Sequence, residues 1–217
     1  METKQRTNFG ARSTKRTQTR RVPTLSNVDR ELEQSIAVLQ RNAAFVKSVD
    51  GKPTKVSDTT LYINADASGF SGIQPIMDSN TKRLVGLTNF DGNKLNSGKA
   101  FVINAIRLSY STNGNGVEDA DWQNEDRLPS ELQNAEVVMS QNGMPILSMP
   151  LSDLQGFKFD DYRRIADKPI ILPNEPISID IHFPSGVQVP VKKAKTATLP
   201  AIEQFIRLEF RGTKSKS

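Results

Sequence analysis

Short runs of alternating apolar and polar residues fill the chain beyond Pro53, and turn-forming residues separate them about every ten positions. The clearest run covers residues 177–183, where isoleucine and phenylalanine alternate with serine, aspartate and histidine. A period of two places one kind of side chain on each face of a strand. The pattern therefore predicts antiparallel strands that bury one face, as in a sandwich or barrel.

The same pattern predicts further strands, which cover residues 61–64, 82–87, 101–110, 187–191 and 206–210. A hairpin is predicted within residues 135–149, because Asn142 and Gly143 stand between two strand runs and both accept the positive φ of a type I′ turn. Short hairpins combined with long connections, such as the acidic stretch at residues 111–130, are typical of Greek-key folds. We therefore expect a mainly β fold, an antiparallel jelly-roll sandwich over residues 54–213. An immunoglobulin-like sandwich is the alternative, and it would have no core disulfide because the chain has no cysteine.

The first 21 residues form a basic arm. They hold seven Lys and Arg against one acid, Glu2, so the arm carries +6 while the whole chain carries +5. The remaining residues, 22–217, therefore hold 22 bases and 23 acids. A segment with so few apolar residues cannot offset its ordering entropy by burial, so we expect an extended arm over residues 1–23 that becomes ordered on a partner. The candidate contact residues are Lys4, Arg6, Arg12, Lys15, Arg16, Arg20 and Arg21.

Several partners are compatible with this composition. Spaced Arg and Lys neutralise phosphates without sequence preference, with an affinity that falls as salt rises. The arm could equally line an acidic groove of another subunit, bind lipid headgroups, or serve only as a solubilising tail. Phe9 is its one side chain able to stack on a base, so electrostatic attraction would dominate any nucleic-acid contact.

One amphipathic helix is predicted between the arm and the strands, within residues 24–50. Ser26 is the expected N-cap, and Asp29 lies where a helix favours negative charge. The apolar positions recur in steps of three and four and so form one stripe, which we expect to pack on the chain's own domain. A short coiled-coil seam is the alternative use of the stripe. The stripe consists of Leu32, Ile36, Leu39, Ala43 and Val46.

Patterns that signal catalysis or metal binding are scarce. The single histidine, His182, falls on the polar face of a predicted strand, and no Gly-x-Ser-x-Gly sequence or dinucleotide-binding glycine pattern occurs. The chain has no cysteine ligands and no second histidine for a typical zinc site. We therefore expect no enzymatic activity, no cofactor and no metal. No apolar run is long enough to predict a membrane-spanning helix.

Two features of the sequence can be compared with known families. One is the order of parts, a basic arm followed by a linking helix and a β-sandwich, and the other is a set of short sequence phrases within residues 85–211. Those phrases are Asn89-Phe90-Asp91-Gly92, Gly98-Lys99-Ala100-Phe101-Val102-Ile103, Asn142-Gly143-Met144-Pro145-Ile146 and Pro169-Ile170-Ile171-Leu172-Pro173-Asn174. In this order and in these phrases the chain resembles the jelly-roll virion structural proteins of bacterial viruses.

The resemblance implies a structural role in the virion, as a capsid, minor capsid, penton or head-completion subunit. Its partners would be copies of itself and other virion proteins, with non-specific contact between the arm and packaged nucleic acid. Two other functions are compatible with the sequence. One is a carbohydrate- or ligand-binding sandwich that uses Trp122, Tyr110 or Tyr162 as a platform, and the other is a nucleic-acid-binding protein acting in solution.

Overall fold

The computed structural model describes residues 26–41, 55–122, 127–156, 161–192 and 203–216. These residues form a mainly β structure with two helices, α1 (Asn27–Arg41) and α2 (Ser130–Gln133). The strands are β1 (Lys55–Asp66), β2 (Ile73–Met77), β3 (Phe101–Ser111), β4 (Glu136–Gln141), β5 (Met144–Pro150), β6 (Arg163–Arg164), β7 (Ile170–Ile171), β8 (Ile177–His182) and β9 (Phe205–Lys216). The basic arm lies outside the described residues, as do residues 24–25 and 42–50 of the predicted helical segment.

The strands form two antiparallel sheets. Sheet I has the order β1-β9-β3-β6, and β7 also pairs with β3, next to β6 along the same edge. Sheet II has the order β2-β8-β4-β5. The last strand of the described chain, β9, therefore lies in the interior of sheet I.

One apolar core joins the two sheets. Its buried members include Ile63 and Phe210 from sheet I together with Met139 and Ile181 from sheet II. The alternation predicted at residues 177–183 is confirmed in β8, where the three isoleucines are buried and the intervening polar side chains are partly exposed. Burial of one face of each sheet against the other is the main source of stability in such a structure.

A β-bulge changes the inward face of β3. Ile103 pairs with Gly212 and Ala105 pairs with Arg211, which leaves Asn104 as the extra residue. Asn104 thereby takes its place on the outer side of sheet I. Gly212 is needed opposite the bulge, because a Cβ there would lie 2.7 Å from Cζ of Phe101 and would also clash with a backbone carbonyl.

The predicted hairpin is confirmed. β4 pairs with β5 around Asn142 and Gly143, whose φ angles are 55° and 76°. Positive φ at both central residues is the signature of a type I′ turn.

Two predicted strands are wrong. Residues 82–87 form a turn closed by hydrogen bonds between Leu84 and Thr88, with Gly86 at a φ of 91°. Residues 187–191 contribute only one isolated bridge, between Gln188 and Ser71, because Pro190 has no N–H to extend a ladder. The predicted strand at residues 206–210 is longer than expected, since β9 extends to Lys216.

The sequence patterns missed β2 and most of β1. β2 is an edge strand that contains Pro75, a residue tolerated at sheet edges. β1 begins at Lys55, six residues before the predicted start, because its polar first half pairs with the end of β9. Polar residues at a sheet edge give no alternating apolar signal.

Candidate functional site

Helix α1 packs on the outer face of sheet I. Its start is fixed by a capping box, in which the Asp29 N–H donates to Oγ of Ser26 (3.2 Å) and the Ser26 N–H donates to Oδ2 of Asp29 (3.1 Å). Leu39 is 1% exposed and joins Ala100 and Val102 in a second, smaller apolar cluster. The helix therefore forms an extra layer outside sheet I.

The predicted stripe is only partly within the described residues. Leu39 is buried, and Leu32 and Ile36 are half-buried. Ala43 and Val46 lie outside the described residues.

Two polar contacts hold α1 on the sheet. The Ser35 hydroxyl donates to Oδ1 of Asn104 at the bulge (2.9 Å), and Arg164 of β6 forms an ion pair with Glu31 (2.6 Å). The bulge thus places the side-chain amide of Asn104 where it accepts the hydrogen bond from Ser35 of α1.

Next to the helix, a buried charged cluster occupies the same face of sheet I. Glu209 lies 3.4 Å from Nε of Arg107 and 2.8 Å from Nη2 of Arg207, and the Tyr162 hydroxyl donates to it over 3.2 Å. The side chains of Arg107 and Glu209 are only 4% and 10% exposed. The Arg107 guanidinium also donates to the Ser109 hydroxyl. Buried charges with these partners fasten Tyr162 to the sheet.

The cluster changes the acidity of its tyrosine. Burial, together with the negative charge of Glu209, raises the pKa of Tyr162 to about 12. The guanidinium groups of Arg107 and Arg211 each lie 5.7 Å from the centre of the tyrosine ring. Tyr162 therefore stays protonated over the physiological range and acts as a hydrogen-bond donor.

A polar groove of about 280 Å³ lies between α1 and the cluster. The formal charges of its lining residues cancel, since Glu31 and Asp58 face Arg164 and Arg211. A groove with balanced charges does not select strongly for either anions or cations.

The aromatic residues proposed as a ligand platform are differently placed. Tyr110 is 4% exposed, and its hydroxyl donates to Gln204 (2.9 Å). Tyr162 is held in the charged cluster, and Trp122 is half-buried. The structure does not bring the three rings together on one open surface.

The two sheets differ sharply in charge. The strands of sheet I contain eight Lys or Arg and three Asp or Glu. The strands of sheet II contain Glu136 and Asp180 and no Lys or Arg. His182 lies between Glu136 and Ile73 in the register of sheet II. Alternation showed which residues face outwards, but the grouping of charges by sheet requires knowledge of the strand order.

Within the described residues, no three His, Cys, Asp or Glu side chains are grouped so that they could hold a metal ion. Neither described helix has the length and apolar character needed to span a membrane. Comparison of the chain with protein-family models, with curated proteins and with solved structures gives no match. Functional inference therefore depends on the strand order and the distribution of charge.

Proposed function

We propose that this chain is a non-enzymatic structural protein of a virion, of the kind found in bacterial viruses, built on a single jelly roll. It is made in the host cytoplasm and assembles through its β-sandwich with copies of itself or with other virion proteins. Its basic arm anchors the subunit electrostatically.

The observation that carries the proposal is the pairing of the strands. If β6 and β7 are taken as one interrupted strand, the described residues form eight strands. The first pairs with the eighth, the second with the seventh, the third with the sixth and the fourth with the fifth. This is the pairing of one long antiparallel ribbon. Folding the ribbon over itself creates the two further contacts, β3 with β9 and β4 with β8. That arrangement supports a jelly roll, a fold used by viral capsid proteins, lectins and cupins.

The arm favours the virion role among these classes. It concentrates +6 in 21 residues, whereas the rest of the chain is close to neutral. In the sequence it precedes α1, which packs on the outer face of sheet I. An arm of this kind can bind a neighbouring subunit or the phosphates of packaged nucleic acid.

A lectin-like role has less support. A sugar-binding platform needs an open aromatic face, but Tyr110 is buried and Tyr162 is held by Glu209. No observation favours the soluble nucleic-acid-binding alternative over a virion subunit.

Sedimentation velocity of the purified full-length chain over a wide concentration range tests the proposal. We expect reversible or closed oligomers, and we expect weaker assembly when the seven arm Lys and Arg are changed to Gln, with an unchanged far-UV circular dichroism spectrum. A chain that stays strictly monomeric at all concentrations, with and without added nucleic acid, would refute the proposed function.

A further inference from the structure

We infer that the outer face of sheet II is the surface that receives the basic arm of a second copy of this chain. The inference rests on the proposed function and specifies one contact within the assembly.

The outer face of sheet II is left open by the described chain. Glu136 is exposed, and Val138, Asp180 and His182, which lie beside it on β4 and β8, are only half-buried. Sheet I is different, because Arg107, Ser109, Thr213 and Ser215 on its outer side are all buried. The described residues thus cover the outer face of sheet I and leave the outer face of sheet II open.

The open face has a negative charge that its own sheet does not neutralise. Glu136 and Asp180 form no ion pair with any described residue, and the four strands around them contain no Lys or Arg. Ile73, 67% exposed at the edge of this face, adds apolar contact area next to His182. Low lysine content with exposed apolar side chains is typical of protein interfaces.

Charge determines which surface of the second copy fits. Two sheet II faces related by a two-fold axis would bring like charges together, which is unfavourable. The excess positive charge of this chain lies in residues 1–21, because residues 22–217 sum to −1. Twenty-one extended residues span up to about 70 Å, so the arm can reach a neighbour. The contact then joins different surfaces of the two copies. It can be exchanged reciprocally in a two-fold dimer, or it can close into rings or continue as filaments.

A first test uses three full-length variants, each checked by circular dichroism and thermal melting. E136Q/D180N removes the two acids of the open face, and E33Q/D167N removes two exposed acids elsewhere as a matched control. The third variant changes the seven arm bases to Gln. We expect E136Q/D180N to weaken self-association about tenfold in sedimentation velocity, and the control to leave it within about twofold.

A mixing experiment tests that the contact joins the arm of one copy to sheet II of another. The arm variant keeps an intact sheet II, and E136K/D180K keeps an intact arm, so we expect each to be monomeric alone and the equimolar mixture to form a one-to-one complex. Equal association of the wild type, the control and E136Q/D180N would overturn the inference while leaving the proposed function standing. The inference would equally fail if the mixture stayed monomeric, or if association required an added oligonucleotide and was unaffected by the sheet II variants.

Discussion

Replacing Glu209 with glutamine removes the central negative charge of the buried cluster on sheet I. The amide oxygen can still accept the Tyr162 hydroxyl, which lies 3.2 Å from Glu209, so the shape of the site is kept. The ion pairs with Arg107 and Arg207 are lost. The Arg107 side chain is 4% exposed and would be left with a charge that water cannot easily reach.

The contact distances allow an estimate of the cost. At the 3.4 Å separation of Arg107 and Glu209, an effective dielectric constant of about 20 gives an attraction of roughly 5 kcal/mol. Arg107 keeps its hydrogen bonds to Ser109, which offset part of the loss. Arg207 is 25% exposed and can be rehydrated, so its pair adds little. We expect the free energy of unfolding to fall by about 3–4 kcal/mol, as is usual when one partner of a buried pair is removed.

Urea denaturation followed by far-UV circular dichroism measures this change. E31Q is the matched control, since it also removes one carboxylate that pairs with an arginine, but the Arg164 side chain of that pair is 71% exposed. The control should lose less than about 1 kcal/mol. A loss from E209Q no larger than that from E31Q would show that the cluster is not desolvated and would refute the reasoning.

Three further predictions concern sheet I and the helix packed on it. The pKa of Tyr162 is raised from 10.0 to about 12, so the unfolded chain loses this proton at a lower pH than the folded chain. The stability that the protonated tyrosine contributes is therefore complete below about pH 10 and should be lost as the pH rises to about 12. Urea unfolding at a series of alkaline pH values should show this decline, and Tyr162→Phe should make the decline smaller. Gly212→Ala forces a Cβ against Phe101 and should cost about 1–3 kcal/mol of unfolding free energy in the same assay, and a neutral result would mean that β9 can shift at the bulge. Leu39→Ala should cost about 2–5 kcal/mol and speed hydrogen exchange in α1 more than in the sheets, whereas uniform acceleration would contradict the separate layer described for the helix.

The residues whose side chains alternate around a buried face were predictable from the sequence. Residues 177–183 and 206–210 show the period of two because one of their faces enters the core, and Asn142 with Gly143 marks the hairpin through backbone conformation alone. The N-cap at Ser26 was likewise readable from local chemistry.

Other features depend on contacts between residues distant in the sequence. Glu209 reads as an outward-facing polar residue, and only the pairing of β3 with β9 brings it to Arg107. Arg107 itself was the available signal, as a lone charge within the apolar run of residues 101–110. The polar first half of β1 and the short strands β6 and β7 gave no periodic signal, because sheet edges impose no strict alternation.

The interior position of β9 has a consequence for biosynthesis. Residues 205–216 form β9, which lies between β1 and β3, so these two earlier strands do not pair with each other in sheet I. They gain their shared neighbour only when β9 has been synthesised. Until then β1 and β3 would each expose unpaired backbone edges, which are sites of aggregation for nascent chains. Sheet I can therefore close only after β9 has been synthesised, and chaperones that shield such edges would raise the yield of correctly folded protein.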